Sequence, residues 1–530
     1  MKKSFILKFE NYAFALATVM SIGLRPAFAG LTTGNTRRAD VFITDTSDFV
    51  GDGKTDNTQA IQAAIDSCYN AGGGTVELTN GTFLTGPITL ESNVTLRIDS
   101  SATLLGTTYT KAYYPANYDT SNNTLPSKLN PLITSDDASN ITITGGGTIN
   151  GNGQPWWTAY KSGTISVRPR LIQLNHSQHI EIDSVTLENS PQFHVSLEYC
   201  WYVTVKYVTI LAPANSPNTD GIDPATCHFV YISHCRIDNG DDDIAVKSGN
   251  SDPSDTVAGS TNIWISDCTF MHGHGVSIGS ETGGGVDSMY VDSCSFDSTD
   301  NGLRIKSYRG NGGNLRNIVY SNITMQNVAN PIWISCYYPS IPSETDPPQA
   351  ITSRTPYYHD VSIINLKSTN SPTAGVIVGL PEEPLTHIVL KNVSISATTG
   401  LEIRNATVDT ANTVVTATYG PGLILQTQSV VTDVKPPEEG SIPETFQLEQ
   451  NYPNPFNPTT VIAYSIPALS RVTLRVYDVL GSVVATLVNR NEPAGRYSVQ
   501  FDGSRFASGV YFYRLNAGGF TETKKLMLIK

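Results

Sequence analysis

The sequence predicts an all-β chain, in which a right-handed parallel β-helix is followed by a small C-terminal β-sandwich. Short runs of alternating apolar and polar residues return from about residue 94 to residue 396, and no helix-length apolar period separates them. Each run has the period of two that is typical of a strand with one inward face. Strands that recur at intervals of one coil bury these faces by stacking on one another.

The chain begins with a predicted secretory signal at residues 1–29. Lysines precede an apolar stretch from about residue 12 to residue 24, and Ala27-Phe28-Ala29 is a small-x-small cleavage site that leaves Gly30 first in the mature chain. An uncleaved membrane anchor is the alternative, although the apolar stretch is shorter than a bilayer span. No other segment is apolar enough to cross a bilayer, so we expect no stable membrane span.

The predicted β-helix domain occupies residues 30–425. Near its start, Asn57 and Thr58 precede apolar residues at Ile61 and Ile65, which indicates a capped amphipathic helix that closes the open end of the coil stack. One inward position recurs in successive coils at steps of 23, 27, 33, 26 and 29 residues. Its members are Val185, Val208, Cys235, Cys268, Cys294 and Ile323.

Composition narrows the class of function. The chain has 34 Lys and Arg residues against 47 Asp and Glu residues, and this net charge of -13 disfavours nucleic acid and anionic membranes as partners. Seven cysteines, without a C-x-x-C pair, include three at one repeated inward position. This pattern favours buried thiols that stack as small hydrophobes over disulfides or a zinc site.

The C-terminal part of the chain is a separate unit. Pro436-Pro437-Glu438-Glu439-Gly440 marks a predicted linker at residues 426–445. Residues 446–530 contain alternating strands between Gly and Pro turns, which predicts the β-sandwich.

Two motifs of this unit, Asn451-Tyr452-Pro453-Asn454-Pro455 and Ser508-Gly509-Val510-Tyr511, resemble the C-terminal sorting domain of the type IX secretion system. The resemblance implies that the type IX machinery is a partner and that the unit is removed during export. It also implies a secreted or cell-surface protein, exported through the periplasm. A carbohydrate-binding module is the alternative reading of this unit.

Four short polar motifs stand at nearly constant intervals in the middle of the chain. They are Asn218-Thr219-Asp220, Gly240-Asp241-Asp242, Gly273-His274-Gly275 and Arg304-Ile305-Lys306. The steps between Asp220, Asp241, His274 and Arg304 are 21, 33 and 30 residues, about one coil each. We therefore expect the four motifs to meet on one wall of the β-helix.

Strand register sharpens this expectation. If Leu303 and Ile305 point into the core, Arg304 and Lys306 both point outward on the same face. Asp242 and His274 each precede the first inward residue of their strands by two positions. They are therefore expected to lie at one level of adjacent coils.

These groups are the ones that hydrolysis of an acidic glycoside requires. One carboxylic acid protonates the leaving oxygen, and a second carboxylate attacks or activates water. Repulsion and burial among three aspartates raise one pKa, so that one aspartate keeps a proton. His274 can tune this proton, and Arg304 and Lys306 can bind a substrate carboxylate. Taken singly, each motif is also ordinary turn chemistry or a solvated strand face.

Taken together and in this order, the four motifs resemble the signature of glycoside hydrolase family 28, the polygalacturonases, which have the pectin-lyase-like β-helix fold. The resemblance implies a cofactor-independent, inverting hydrolase of α-1,4-linked galacturonan in pectin, acting in endo or exo mode. The roles that it implies are Asp241 as general acid, Asp220 and Asp242 as the pair that activates water, His274 as a supporting residue, Arg304, Lys306 and Asn218 as substrate-binding residues, and Tyr338 as a substrate-stacking residue.

One position departs from the family pattern, and several alternatives stay open. Asp243 stands where many members have Cys or a small residue, so this extra carboxylate either points inward or perturbs the cluster. Rhamnogalacturonan or xylogalacturonan is the alternative hydrolase substrate. A pectate lyase and a non-catalytic β-helix adhesin are the readings from other functional classes, and neither requires the paired Gly-Asp-Asp and His274.

Overall fold

The structure is a computed structural model that describes residues 49–119, 121, 125–249, 259–342, 346–426, 429–433, 445–451, 454, 456, 459–479, 481–492 and 495–528. The predicted signal at residues 1–29 and most of the predicted linker lie outside these ranges. The described residues up to 433 and those from 445 onward belong to two compact units. No helix in the described ranges combines the length and apolarity needed to span a bilayer.

The first unit is a right-handed parallel β-helix, as predicted. Each coil contributes one strand to each of three columns, and neighbours in a column pair in parallel. Column A contains β4 Ile88–Thr89, β7 Ile133–Asp136, β10 Ile172–Asn175, β13 Val195–Glu198, β16 Ile222–Ala225, β19 Ile244–Ser248, β22 Val276–Thr282, β25 Asn301–Lys306 and β27 Asn330–Ser335. Column B contains β2 Gly74–Leu78, β5 Val94–Ile98, β8 Ser139–Thr144, β11 Gln178–Asp183, β14 Trp201–Lys206, β17 His228–Ser233, β20 Ser260–Ser266 and β23 Val286–Asp292.

Column C completes each coil, and longer strands form the last coils. Column C contains β1 Asp52–Asp56, β3 Gly81–Thr85, β6 Ala102–Gly106, β9 Thr148–Asn150, β12 Thr186–Glu188, β15 Thr209–Leu211, β18 Arg236–Asn239, β21 Thr269–His272 and β24 Ser295–Asp297. The last coils are built from β26 Asn314–Gln326, β28 Tyr357–Val378, β29 Leu385–Arg404, β30 Ala406–Ala411, β31 Val414–Leu425 and β32 Val430–Asp433. These strands run through turns that separate the columns elsewhere.

The core is a stack of inward side chains, and the repeated position predicted from the sequence lies within it. The amide of Thr209 donates to the carbonyl of Val185 in the preceding coil, and Thr269 bonds in the same way to Cys235. All seven cysteines are buried free thiols, as expected. The Cys235 amide lies 3.4 Å from the Sγ atom of Cys268, so these thiols do stack as a ladder.

Helices in the described ranges include two α-helices and a 3-10 helix that accompany the coils. The predicted amphipathic helix is α1 Thr58–Asn70, which buries Ile61 and Ile65 against the first coils. The second helix, α2 Gln154–Lys161, connects column C to column A and buries two tryptophans. The 3-10 helix is Thr110–Tyr113.

The β-helix extends beyond its predicted boundary at residue 425. Strand β32 pairs in parallel with β30, and Val431 lies opposite Val408. The predicted linker is therefore wrong over residues 430–433. Val430-Val431-Thr432-Asp433 is too short to stand out as a strand in the sequence beside a Pro-rich segment, but β30 offers it an unpaired edge.

The second unit is the predicted β-sandwich, made of two antiparallel sheets. One sheet contains β33 Gln447–Leu448, β34 Thr459–Ile466 and β37 Gly495–Asp502. The other contains β35 Ser470–Tyr477, β36 Val483–Glu492, β38 Gly509–Ala517 and β39 Phe520–Leu528. Inward residues of both sheets, such as Ile462 and Leu474, form one core.

Candidate active site

The polar motifs meet at the mouth of column A. Ile222 pairs with Ile244, Ile244 with Val276, and Val276 with Leu303. Asp220, Asp242 and His274 each lie two residues before one of these paired strand residues, so they occupy one level of three consecutive coils. The register argument from the sequence therefore placed these side chains correctly.

Short hydrogen bonds hold the turns that precede these strands of column A. The Oγ1 atom of Thr219 accepts a hydrogen bond from the Gly240 amide at 3.0 Å, which joins the first motif to the second. Buried Asn239 accepts from the Asp241 amide and donates to the Asp242 carbonyl, both at 3.1 Å. At Gly275, where φ is +73°, a side chain would collide with the Asn301 carbonyl at 2.1 Å.

Asp242 is the most strongly compensated carboxylate of the site. Its Oδ2 atom accepts a bond of 2.7 Å from Lys306, and its Oδ1 atom accepts from Arg304 at 3.0 Å and from Ser277 at 2.7 Å. Burial alone would raise its pKa, but the charges of Lys306 and Arg304 outweigh burial and lower the pKa to about 2. Asp242 is therefore ionised throughout the ordinary pH range. Lys306 faces outward as predicted, yet it is only 5 % exposed because it lies against this carboxylate.

Asp241 is the most accessible of the three predicted catalytic carboxylates. Its side chain is 21% exposed, against 5% for Asp220 and 3% for Asp242. The Nδ1 atom of His274 lies 3.2 Å from Asp241 Oδ1, and the Nε2 atom of His274 lies 3.2 Å from Asp300. Burial raises the pKa of Asp241, but the hydrogen bond and charge of His274 together with the Asp242 amide outweigh burial and lower the pKa. Burial lowers the pKa of His274, but the hydrogen bond to Asp241 together with the charges of Asp241 and Asp242 outweighs burial and raises the pKa.

Asp220 carries the raised pKa in this cluster. It is 4% exposed, and burial together with the neighbouring Asp223 raises its pKa well above the usual value. Lys247 partly offsets this effect, because its Nζ atom lies 3.6 Å from Asp220 and donates to Asp223 at 2.7 Å. Of the three predicted catalytic aspartates, Asp220 is therefore the one whose pKa is raised, whereas the pKa of Asp241 is lowered.

The substrate-facing side of the cluster contains Tyr338 and Asn218. The ring centre of Tyr338 lies 5.3 Å from Lys306 Nζ and 5.9 Å from the guanidinium carbon of Arg304. Asn218 donates to Asp241 Oδ2 over 3.4 Å. The structure therefore brings all eight residues predicted from the sequence into one cluster.

A model of one family covers most of this unit: that for glycosyl hydrolases family 28 matches residues 68–415. The chain belongs to glycoside hydrolase family 28. It is therefore a glycosidase, and the β-helix is its family 28 unit.

Known relatives and solved structures agree with the family match. An endo-polygalacturonase of Pectobacterium carotovorum is 34% identical over 371 residues, which are 66% of this chain and 87% of the relative. A probable polygalacturonase of Vitis vinifera is 32% identical over 359 residues, which are 65% of this chain and 72% of the relative. The solved polygalacturonase of Erwinia carotovora is similar with a TM-score of 0.54 and 29% identity, over 72% of this chain and 96% of the solved one.

The second unit also has a family match. A secretion system C-terminal sorting domain covers residues 450–530, in agreement with the resemblance of this unit to the type IX sorting domain. This family 28 protein is therefore a secreted or cell-surface protein with a type IX sorting module.

Several polar residues of the family 28 site were not predicted. Lys247 ends the run Ile-Ala-Val-Lys in β19, as Lys306 ends Leu-Arg-Ile-Lys in β25, so a comparison of the two runs could have found it. Asp223, its partner, follows from the same register. Arg168 and His194 lie outside any repeated motif, and the sequence offers no comparable signal for them. Burial lowers the pKa of His194 to about 4, and its Nδ1 atom lies 3.2 Å from the carbonyl of Asp220.

In the described part of the chain, two groups of side chains have ligand atoms spaced closely enough to hold a cation. In the first group, one ligand atom from each of Asp241, Asp242 and His274 lies within 4.8 Å of the other two. The second group, with the same spacing, is made of the exposed residues Asp136, Asp137 and His176. In the first group, both oxygens of Asp242 already bond to Ser277 or to fixed cations. This arrangement fits proton transfer better than metal binding, and the absence of a cofactor stays a prediction.

Asp243 points into the core of the β-helix, one of the two alternatives left open by the sequence. It is fully buried, and its Oδ2 atom accepts a 2.9 Å hydrogen bond from the Gly275 amide. Burial raises its pKa well above the usual value, and the neighbouring Asp242 adds to this effect. Asp243 is therefore a neutral acid that supports the turn carrying His274.

We expect Asp243→Asn to raise the melting temperature at pH 7 and to change it little at pH 3.5. The folded protein binds the Asp243 proton more tightly than the unfolded chain does, so this residue makes stability fall as pH rises above about 4. Asparagine is neutral at both pH values and retains an acceptor for Gly275.

Thermal unfolding followed by circular dichroism at the two pH values tests this expectation, with exposed Asp136→Asn as the matched control. An equal change in melting temperature at both pH values would show that Asp243 does not carry the extra proton.

Proposed function

We propose that this enzyme hydrolyses α-1,4-galacturonosyl linkages of pectin with inversion of configuration. The observation that carries the proposal is the incomplete hydrogen bonding of the Arg304 side chain. Its Nε atom is buried and has no hydrogen-bond partner in the described part of the chain, although Tyr338 and Lys306 flank it. A buried cation without full compensation is costly, and the part of this side chain that stays exposed, 14%, can bind a carboxylate. Galacturonan offers such a carboxylate on every sugar ring.

The three carboxylates have different roles in this proposal. Asp241 is the general acid, because it is the most accessible of the three and has His274 beside it. Buried Asp220 orients a water molecule on the opposite face of the sugar, and ionised Asp242 takes up the proton of this water as its oxygen bonds to the anomeric carbon. The bond from the anomeric carbon to the leaving oxygen breaks as the leaving oxygen receives the proton from Asp241.

The lowered pKa of Asp241 is compatible with this role. Before substrate binds, the proton of the Asp241 and His274 pair lies on His274, because the pKa of Asp241 is lowered and that of His274 is raised. Binding of an anionic sugar to Arg304 and Lys306 neutralises nearby positive charge and excludes water. Both effects favour transfer of the proton to Asp241.

A pH profile of kcat tests the role of His274. We expect activity to fall on the alkaline side as His274, whose pKa is raised, loses its proton. The His274→Gln variant has no imidazolium, so the alkaline limb should move to lower pH and should then report Asp241 alone. An alkaline limb that stays in place would show that His274 does not hold the transferred proton.

A product time course on polygalacturonate tests the proposed function as a whole. We expect an immediate increase in reducing ends, new β-configured ends in the NMR spectrum and no product with ultraviolet absorption. Ultraviolet-absorbing product would indicate a lyase, and α-configured ends would exclude inversion. Parallel reactions with rhamnogalacturonan and xylogalacturonan test substrate class, and the sizes of the early products distinguish endo from exo action.

The proposal also gives each end of the chain a role in export. Residues 1–29 are the signal that directs export through the periplasm, and the catalytic unit extends to residue 433 before the linker. The unit from residue 446 then interacts with the type IX machinery. Mass spectrometry of secreted protein should show a chain that begins at Gly30 and lacks the C-terminal unit.

A further inference from the structure

Arg168 is a buried cation behind the active site, in the segment between α2 and β10. It is 6% exposed, and its guanidinium carbon lies 3.8 Å from the ring centre of Tyr160 on α2. Its Nη1 atom donates to the carbonyl oxygens of Pro191 and Pro217 at 2.8 and 2.5 Å. The side chain therefore joins α2 to two turns at the mouth of column A.

The remaining bond of Arg168 determines the orientation of an amide. Its Nη2 atom lies 2.7 Å from one terminal atom of the Asn218 side chain. A guanidinium group has only donors, so this atom must be the carbonyl oxygen Oδ1. The amide NH2 group of Asn218 then faces the other way, toward Asp241 Oδ2 at 3.4 Å.

We propose that Arg168 is a positioning residue that holds the NH2 group of Asn218, rather than its carbonyl oxygen, against Asp241. This inference rests on the proposed function, in which Asp241 is the general acid. With the amide held in this way, both oxygens of Asp241 face donors, Oδ2 facing Asn218 and Oδ1 facing His274. If the amide were reversed, two oxygens would face each other unless Asp241 were protonated.

The orientation of the Asn218 side-chain amide therefore controls how readily Asp241 gives up its proton. A donor facing a carboxylate favours the ionised form, and an acceptor favours the protonated form. In the described part of the chain, the other titratable groups that interact with Asp241 include Asp220, Asp242, Asp243 and His274, and the charge of Arg168 itself also acts on it. A test must consequently separate the charge of Arg168 from its bond to Asn218.

Two variants make this separation. Arg168→Lys keeps the charge but lacks the planar fork that reaches three acceptors, and Arg168→Met removes both. In each variant we expect kcat on polygalacturonate to fall on the order of tenfold, as for a misplaced catalytic group. The alkaline limb of the kcat profile should move upward by roughly half to one pH unit, which is the effect of one hydrogen bond.

Lys161→Gln is the matched control. Lys161 lies on α2 and donates to the carbonyl of Asn215 at 2.8 Å, so it joins the same helix to the same loop. The structure shows no bond from Lys161 to Asn218. We expect wild-type kcat and an unmoved pH profile for Lys161→Gln.

A double-mutant cycle with Asn218→Ala completes the test. Because both residues act through one amide, Asn218→Ala should cost much less activity in the Arg168→Lys background than in the wild type. Additive losses with an unmoved alkaline limb would overturn the inference and leave Arg168 as a packing residue. An active Asp241→Asn variant would instead refute the proposed function, so the two failures are distinguishable.

Discussion

Asp241→Asn is expected to lower kcat on polygalacturonate on the order of 10³-fold while leaving the fold intact. Asparagine has the same shape but cannot give a proton to the leaving oxygen. The side chain is partly exposed, so the substitution creates no cavity. The measurement is reducing-sugar release under saturating substrate, together with a thermal unfolding curve.

The exposed Asp136→Asn substitution is the control for this experiment, because it makes the same chemical change on the outer surface. A variant at Asp241 that retains more than about a tenth of wild-type turnover would contradict the general-acid role, since general acid catalysis contributes at least a hundredfold.

Lys306→Met is expected to have the largest effect on stability, roughly 3 kcal/mol at neutral pH. Lys306 is almost fully buried and donates to Asp242 at 2.7 Å. Removing it leaves a buried carboxylate that still bonds to Arg304 but has lost its shortest ion pair. Breaking a buried pair in this way costs more than the pair contributes, because the second charge stays without full compensation.

The pH dependence identifies Asp242 as the cause. In the wild type its pKa is lowered to about 2, so its stabilising effect is present above about pH 4 and is lost as pH falls through about 2. In Lys306→Met the pKa of Asp242 rises. The difference in the free energy of unfolding between wild type and variant should therefore be largest above pH 4 and should shrink on acidification.

Urea denaturation at pH 3 and pH 7 measures this difference, and Lys206→Met is the matched control. Lys206 pairs with Glu181 at 2.8 Å on the outer surface, where an ion pair contributes at most about 1 kcal/mol. If Lys306→Met cost as little as Lys206→Met, or cost the same at both pH values, the buried ion cluster would not be a stabilising unit.

The fold was predictable because its determinants are periodic. Alternation of inward and outward residues predicted strands such as β5 and β14, and one repeated position predicted the ladder that includes Cys235 and Cys268. Where a segment is short and has no repeat, as at residues 430–433, no comparable signal exists.

The site was predictable only as far as strand register reaches. Register determines the face on which Arg304, Lys306 and Asp242 lie, but it does not determine the hydrogen-bond partners of those side chains. Side-chain conformations and long-range packing determine that Lys306 donates to Asp242 and that Arg168, from a loop, donates to Asn218. The pKa order within the aspartates follows from burial combined with the charges beside each carboxylate, which a sequence motif does not contain.

The register of column A also affects how such an enzyme can evolve. The catalytic groups come from adjacent coils between β15 and β25, and each coil of a solenoid contacts only its neighbours. A gene duplication or deletion of one whole coil outside that interval would lengthen or shorten the column A wall beside the cluster and leave the distances within the cluster unchanged. The length of this wall is thus free to change in steps of one coil, independently of the cluster.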